Sequence, residues 1–127
     1  MSRVVETAGA PAPIGPYSQA IEAGGMVFCA GQIGLDPVTG TLVSGGAAAE
    51  VERAIRNIEA VLHAVGLGLG DVVKTTLFLT DLGDGPDVGR VYGRLMPTPH
   101  PARSTVQVVA LPAGARVELE AVAVRAG

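Results

Sequence analysis

Between Ala47 and Val65 the apolar residues fall on a single stripe. Val51, Ala54, Ile55, Ile58, Val61, Leu62 and Val65 recur every three or four positions, while Glu50, Arg53, Arg56 and Glu59 lie off it. This is the α-helical period, and it predicts a long amphipathic helix over 47–65. Ser44 can cap its start, Glu52 and Arg56 form a favourably oriented i,i+4 pair, and Gly66 can end it. A helix this one-sided has to lay its stripe on a broader apolar surface, and the rest of the chain reads as the strands that make one.

Val4-Val5 is a short first strand. The segments Ser18–Glu22 and Met26–Gly31 flank Gly24-Gly25 and read as a hairpin. Val72–Leu79 is a fourth strand. Asp84-Gly85-Pro86 signals the start of a shorter helix whose face is Val88, Val91, Tyr92 and Leu95, and Pro97, Pro99 and Pro101 force an extended loop after it. Two strands, Ser104–Ala110 and Arg116–Arg125, close the chain, joined at Leu111-Pro112-Ala113-Gly114. The order β-β-β-α-β-α-β-β predicts an α+β sandwich, a mainly antiparallel sheet with two helices on one face. In the last strand Val117, Leu119, Ala121 and Ala123 share the parity that suits helix packing. Glu118, Glu120, Val122 and Val124 share the other, a mixed face suited to a second subunit with a polar site at one end.

At 127 residues the chain is expected to be a single domain, 1–127. Its one cysteine, Cys29, excludes an intrachain disulfide framework and a cysteine-cluster metal site; mid-strand among apolar residues, it reads as buried and inert. No apolar run reaches the roughly 18 residues of a membrane span, and the N-terminus lacks the blocks of a signal peptide, so no membrane association and a cytoplasmic location are expected. Eight scattered arginines and Lys74 face twelve acids for a net charge of −3, with no Trp. Neither a basic stripe nor an aromatic platform is present, which argues against nucleic acid as a partner. Apolar residues make up 48% against 17% charged, a surplus that reads as subunit interface.

Few residues can carry chemistry. His63 and His100 have no companions at metal-ligand spacing, so no metal is expected. Gly66-Leu67-Gly68-Leu69-Gly70 follows a helix and precedes a strand, the wrong context for a dinucleotide fingerprint. What remains is Arg103, held at a strand entrance by the rigid Pro-rich segment and sharing parity with Thr105 and Gln107. Its guanidinium is a planar fork suited to a carboxylate or phosphate. Glu118 and Glu120 lie on the next strand in sequence. Two readings stand at this level: a structural Arg–Glu ion pair, within one subunit or across two, or an anion-binding site with a nearby base.

The blocks Ile14-Gly15-Pro16-Tyr17-Ser18-Gln19, Ala30-Gly31-Gln32-Ile33, Val73–Leu79, Pro101-Ala102-Arg103-Ser104 and Val117–Ala123 resemble the RidA/YjgF family, some of whose members carry the label endoribonuclease L-PSP. The resemblance runs over nearly the whole chain, with the blocks in order. It implies a chorismate-mutase-like α+β fold and a homotrimer whose sheets line a central barrel, with clefts between subunits. It also implies hydrolytic deamination of 2-aminoacrylate, 2-iminopropionate and related enamines or imines to 2-oxo acids and ammonia, without cofactor. By the same resemblance Arg103 holds the substrate carboxylate, Glu118 handles the attacking water, Tyr17 closes the cleft and Gly31 contacts the ligand. The residue types suit the chemistry: a carboxylate is the fixed charge of an imino acid, and its electrophilic carbon needs a positioned water.

The chain departs from the family pattern at Gly89 (usually Asn), Ala30 (usually Ser), Thr105 (usually Cys) and Gln107 (often an acid). Ala30, Thr105 and Gly89 would therefore line the substrate cleft with fewer polar groups, which points to larger or more apolar substrates, or to binding without turnover. The rival readings are a non-catalytic trimer that binds small carboxylates as a sensor or holdase, and an endoribonuclease or translation inhibitor.

Overall fold

The strand that ends the chain lies in the middle of the sheet. The computed structural model describes residues 1–126 and contains eight principal elements: β1 (Ser2–Val5), β2 (Ala20–Ala23), β3 (Met26–Ile33), α1 (Gly46–His63), β4 (Val72–Leu79), α2 (Gly85–Leu95), β5 (Ala102–Gln107) and β6 (Val117–Val124). The six strands form one sheet in the order β1-β2-β3-β6-β4-β5. All pairings are antiparallel except β4 with β5, which are parallel and joined through α2, because a parallel pair needs a crossover rather than a tight turn. The architecture is the α+β one expected, a mainly antiparallel sheet that β5 makes mixed. The two closing strands do not pair with each other: β4 separates them.

Both helices cover one face. Val51, Ile55, Ile58 and Leu62 of α1 are buried against Val27, Leu119 and Ala123, and α1 packs on β3, β6 and α2. The parity read in the last strand holds, since Val117, Leu119, Ala121 and Ala123 are all at most 3% exposed. Phe28, Val106, Val122 and Val124 point to the opposite face, which no described helix or strand covers; Phe28 is 44% and Val106 42% exposed there.

Local details of α1 differ from expectation. Ser44 does not cap it; the cap position is Gly45 at φ 115°, a conformation that disfavours a side chain. Arg56 pairs with Glu59 at 3.0 Å instead of Glu52, and Glu52 reaches across to Arg94 of α2 at 3.5 Å. Glu50, off the apolar stripe, is nevertheless buried, because its Oε1 accepts the Arg116 backbone N–H at 2.7 Å. Asn57 is buried likewise and donates to the carbonyls of Ile33 and Leu35. Gly66 ends the helix as expected: with φ 75° it lets Gly66 N–H reach the His63 carbonyl and Leu67 N–H the Leu62 carbonyl, a Schellman closure. At the strands, β2 starts at Ala20, two residues late, and β5 stops at Gln107, three residues early, with Val108 N–H still donating to Leu79 O.

Candidate functional site

The expected site residues fall into two groups on opposite faces of the sheet. The first group gathers around Glu118. Between the pairs Cys29–Ala121 and Gln32–Leu119, two residues of β3, Ala30 and Gly31, oppose only Glu120 of β6. This bulge bends β3 toward the Glu118 side chain. A Cβ on Gly31 would stand 2.5 Å from Glu118 Oε2 and 3.0 Å from its Cγ, so only glycine lets the carboxylate lie against this backbone. Tyr17 stands beside them on the Ile14–Tyr17 turn, in which Tyr17 N–H donates to Gly15 O and Ile14 N–H to the Tyr17 hydroxyl. Tyr17, Gly31 and Glu118, with Ile14, Leu35 and Pro112, line a cavity of about 80 Å³. Ala30 sits beside it in the bulge, its N–H given to Gln19 O, and is not in the lining.

Gln19 anchors this arrangement. It is buried, its Oε1 accepts from Thr7 N–H at 2.7 Å, and its Nε2 donates to the carbonyls of Thr7, Ala10 and Pro11. Proline-rich backbone has carbonyls without matching donors, and one buried amide satisfies several of them. Nothing in the spacing of the sequence marks Gln19 for this role. Partial burial raises the Glu118 carboxyl above the usual carboxylate range, and the neighbouring Glu120 charge adds to the effect.

The second group surrounds Arg103 on β5, at the sheet edge. Arg103 is in register with Thr75, so its side chain leaves the helix-covered face, whereas Glu118 leaves the other. The guanidinium lies over the Tyr92 ring, 4.9 Å from its centroid, and the Tyr92 hydroxyl shares a 2.6 Å hydrogen bond with Thr75 Oγ1. Tyr92, expected only as part of a core-facing helix stripe, thus also backs the arginine. Arg103, Thr105 and Gly89 line a second recess of about 210 Å³ with Gly85 and Val88, over Leu77 and Leu79. Gln107 donates nothing to either recess; its Oε1 accepts Leu82 N–H at 2.9 Å and ties β5 to the turn before α2.

The Arg103–Glu118 ion pair within one subunit is therefore overturned. Thr75, the partner of Arg103, faces Ala121, so the two residues are two strands and three positions apart, roughly 14 Å between Cα atoms at standard sheet spacings. Among the described residues neither has an oppositely charged side chain within ion-pair distance. No cluster of His, Cys, Asp and Glu able to hold a metal occurs among the described residues. No described helix is long and apolar enough to cross a membrane. Cys29 is buried, and burial pushes its thiol up to about 12.

A mixed six-stranded sheet, two helices on one face and a carboxylate and a guanidinium held in separate recesses define an α+β protein. The family model described as Endoribonuclease L-PSP matches residues 7–125, and the chain belongs to this family, the RidA/YjgF family. It is 46% identical over 123 residues to the human 2-iminobutanoate/2-iminopropanoate deaminase, covering 97% of this chain and 90% of that one. Among solved structures it is similar to RidA from the Antarctic bacterium Psychrobacter sp. PAMC 21119, with a TM-score of 0.93, 42% identity and coverage of 96% and 98%. It is also similar to Escherichia coli TdcF with bound serine, with a TM-score of 0.93, 38% identity and coverage of 98% and 99%.

Proposed function

We propose that this chain hydrolyses 2-imino acids and their enamine tautomers to 2-oxo acids and ammonia, in clefts formed between copies of itself. One observation carries the reading: Arg103 and Glu118 are opposite in charge, lie on opposite sheet faces, and each lacks an ion-pair partner among the described residues. A closed homotrimer would set the Arg103 recess of one protomer against the Glu118 cavity of the next. The uncovered apolar face around Phe28, Val122 and Val124 would be buried at the same contact.

In that cleft Arg103, steadied by Tyr92, takes the substrate carboxylate as a bidentate fork. Glu118 removes a proton from water as its oxygen adds to the C=N carbon. It gives that proton to nitrogen, forming the carbinolamine, and then carries the hydroxyl proton to the amine as the C=O bond forms and the C–N bond breaks, so that R–C(=NH)–COO⁻ and H₂O become R–CO–COO⁻ and NH₃. A carboxyl raised above its ordinary range is better matched to this two-way transfer near neutral pH. Tyr17 covers the reacting carbon, the Gly31 backbone contacts the ligand, and Ala30, Thr105 and Gly89 shape the walls. The reading agrees with the name of the human relative and with serine, an amino acid bearing a carboxylate, bound to TdcF.

The test couples the protein to an amino-acid dehydratase or oxidase and follows oxo-acid release. Acceleration over spontaneous hydrolysis is expected, abolished in Glu118→Gln. Unaccelerated release with intact binding of 2-oxo acids would leave a non-catalytic carboxylate-binding protein, the reading favoured by Gly89 and Ala30 standing where polar groups are usual. With one lysine and a net charge of −3, the chain offers little to an RNA backbone.

A further inference from the structure

The recess beside Arg103 has a floor that the carboxylate contact does not use. Leu77 and Leu79 of β4 and Val88 of α2 lie beneath it, apolar but almost wholly covered at 1%, 0% and 1% exposure. Its wall on the α2 side is Gly85 and Gly89, one turn apart on the helix face turned to the sheet edge. A Cβ built on either would meet nothing within 4 Å. The space is therefore open, and it is open because these two positions carry no side chain. At about 210 Å³ it has room for much more than a methyl group. Among the described residues, the polar side chains on its rim are the Arg103 guanidinium and the Thr105 hydroxyl.

A 2-imino acid anchored by its carboxylate on Arg103 has its side chain one bond beyond the carbon next to that carboxylate. The recess, which Arg103 itself lines together with Gly85, Gly89 and Thr105, is the space beside that anchor. We propose that the slot left open by Gly85 and Gly89 beside Arg103 receives the substrate side chain, so that the preferred substrates are 2-imino acids with branched aliphatic side chains rather than the smallest imino acids. The proposal rests on the carboxylate-binding role given to Arg103 above, and it makes Gly89 a specificity-determining residue. Filling the slot removes apolar contact for a large side chain and leaves a methyl little affected. Each methylene matched or lost in such a pocket is worth roughly 10-fold or more in discrimination.

The experiment measures two ratios in the parent, Gly89→Ala and Gly89→Leu proteins, with circular dichroism and sedimentation as folding controls. The first is kcat/KM for the leucine-derived imine over the alanine-derived imine, both generated in situ by an amino-acid oxidase. The second is the affinity for 4-methyl-2-oxopentanoate over pyruvate, which needs no turnover. The parent is expected to favour the larger compound by roughly 10-fold or more in both ratios, with the preference shrinking in Gly89→Ala and lost in Gly89→Leu. Equal or reversed preference in the parent, or ratios unmoved by Gly89→Leu, would overturn the slot. If Gly89→Leu fails to assemble, Gly89→Ala decides, since its methyl enters the same open space. Selective binding without turnover of either imine would leave the slot standing and remove imine hydrolysis. Turnover without selectivity would do the reverse.

Discussion

At the residue scale the most demanding feature is the contact between Gly31 and Glu118. Gly31→Ala places a methyl where the Glu118 carboxylate now lies, and this half-buried carboxylate, at the end of a flexible side chain, has to swing aside. Imine turnover in this variant is expected to collapse while the melting temperature moves only a few degrees, a pairing that thermal melts and coupled assays read directly. Glu118→Gln keeps size and hydrogen bonding and removes the base, so the rate is expected to fall by ~10²–10⁴-fold with 2-oxo-acid affinity unchanged or tighter. The pH profile follows from the same carboxyl. Its proton affinity is raised by burial and then by Glu120, so activity that needs the ionised form is lost as pH falls through a value above the usual carboxylate range. Glu120→Gln removes the second cause and is expected to move that acid limb downward. An unmoved limb would mean that Glu118 is not the group being titrated.

At the element scale the buried polar anchors decide how the elements meet. Asn57 in α1 holds the carbonyls of Ile33 and Leu35 at the end of β3, next to the Glu118 cavity. Asn57→Ala orphans both, and chemical denaturation is expected to show a loss of about 1–3 kcal/mol. At the other end of the sheet, Glu22 joins β2 to β1 and to the chain end through Arg3 at 2.6 Å and Arg125 at 2.8 Å. The Arg125 hydrogen bond, followed by Arg3, holds its carboxyl below the ordinary 4.5. A carboxyl lowered on folding stabilises the protein above its unfolded pKa and ceases to do so as pH falls through its folded one. The stability gap between the parent and Glu22→Gln is therefore expected to be present at neutral pH and to close on acidification below about pH 4.5. A gap that stays constant between pH 7 and pH 3 would show that the cluster contributes no charge-dependent stability.

For the whole molecule, the open sheet face is the decisive surface. It exposes Phe28, Val106 and Val124 beside Glu118 and Glu120, a patch that a lone chain would leave in water. Sedimentation equilibrium at micromolar concentration is expected to give about three chains per particle, in line with the closed symmetry usual for such assemblies. Phe28→Asp is expected to yield folded but dissociated chains without imine turnover. It would lose turnover even though Phe28 lines neither the Glu118 cavity nor the Arg103 recess. A monomeric parent with full activity would sink the shared-cleft reading, because Arg103 and Glu118 cannot meet within one chain.

Local pattern determined much of this protein by itself. The stripe from Val51 to Leu62 specified α1 because helical period needs no knowledge of distant residues. The alternation from Val117 to Val124 identified the buried and open faces of the last strand for the same reason. The family blocks pointed to Arg103, Glu118, Tyr17 and Gly31 as a set. Strand order escaped the sequence, since β6 inserts between β3 and β4 through pairings with residues far away in the chain. That insertion is what separates Arg103 from Glu118. The roles of Gln19, Glu50, Asn57 and Tyr92 were hidden as well, because each acts on backbone or charge that arrives from another element. Periodicity reports which side of an element is buried; only packing decides which buried polar atom finds which partner.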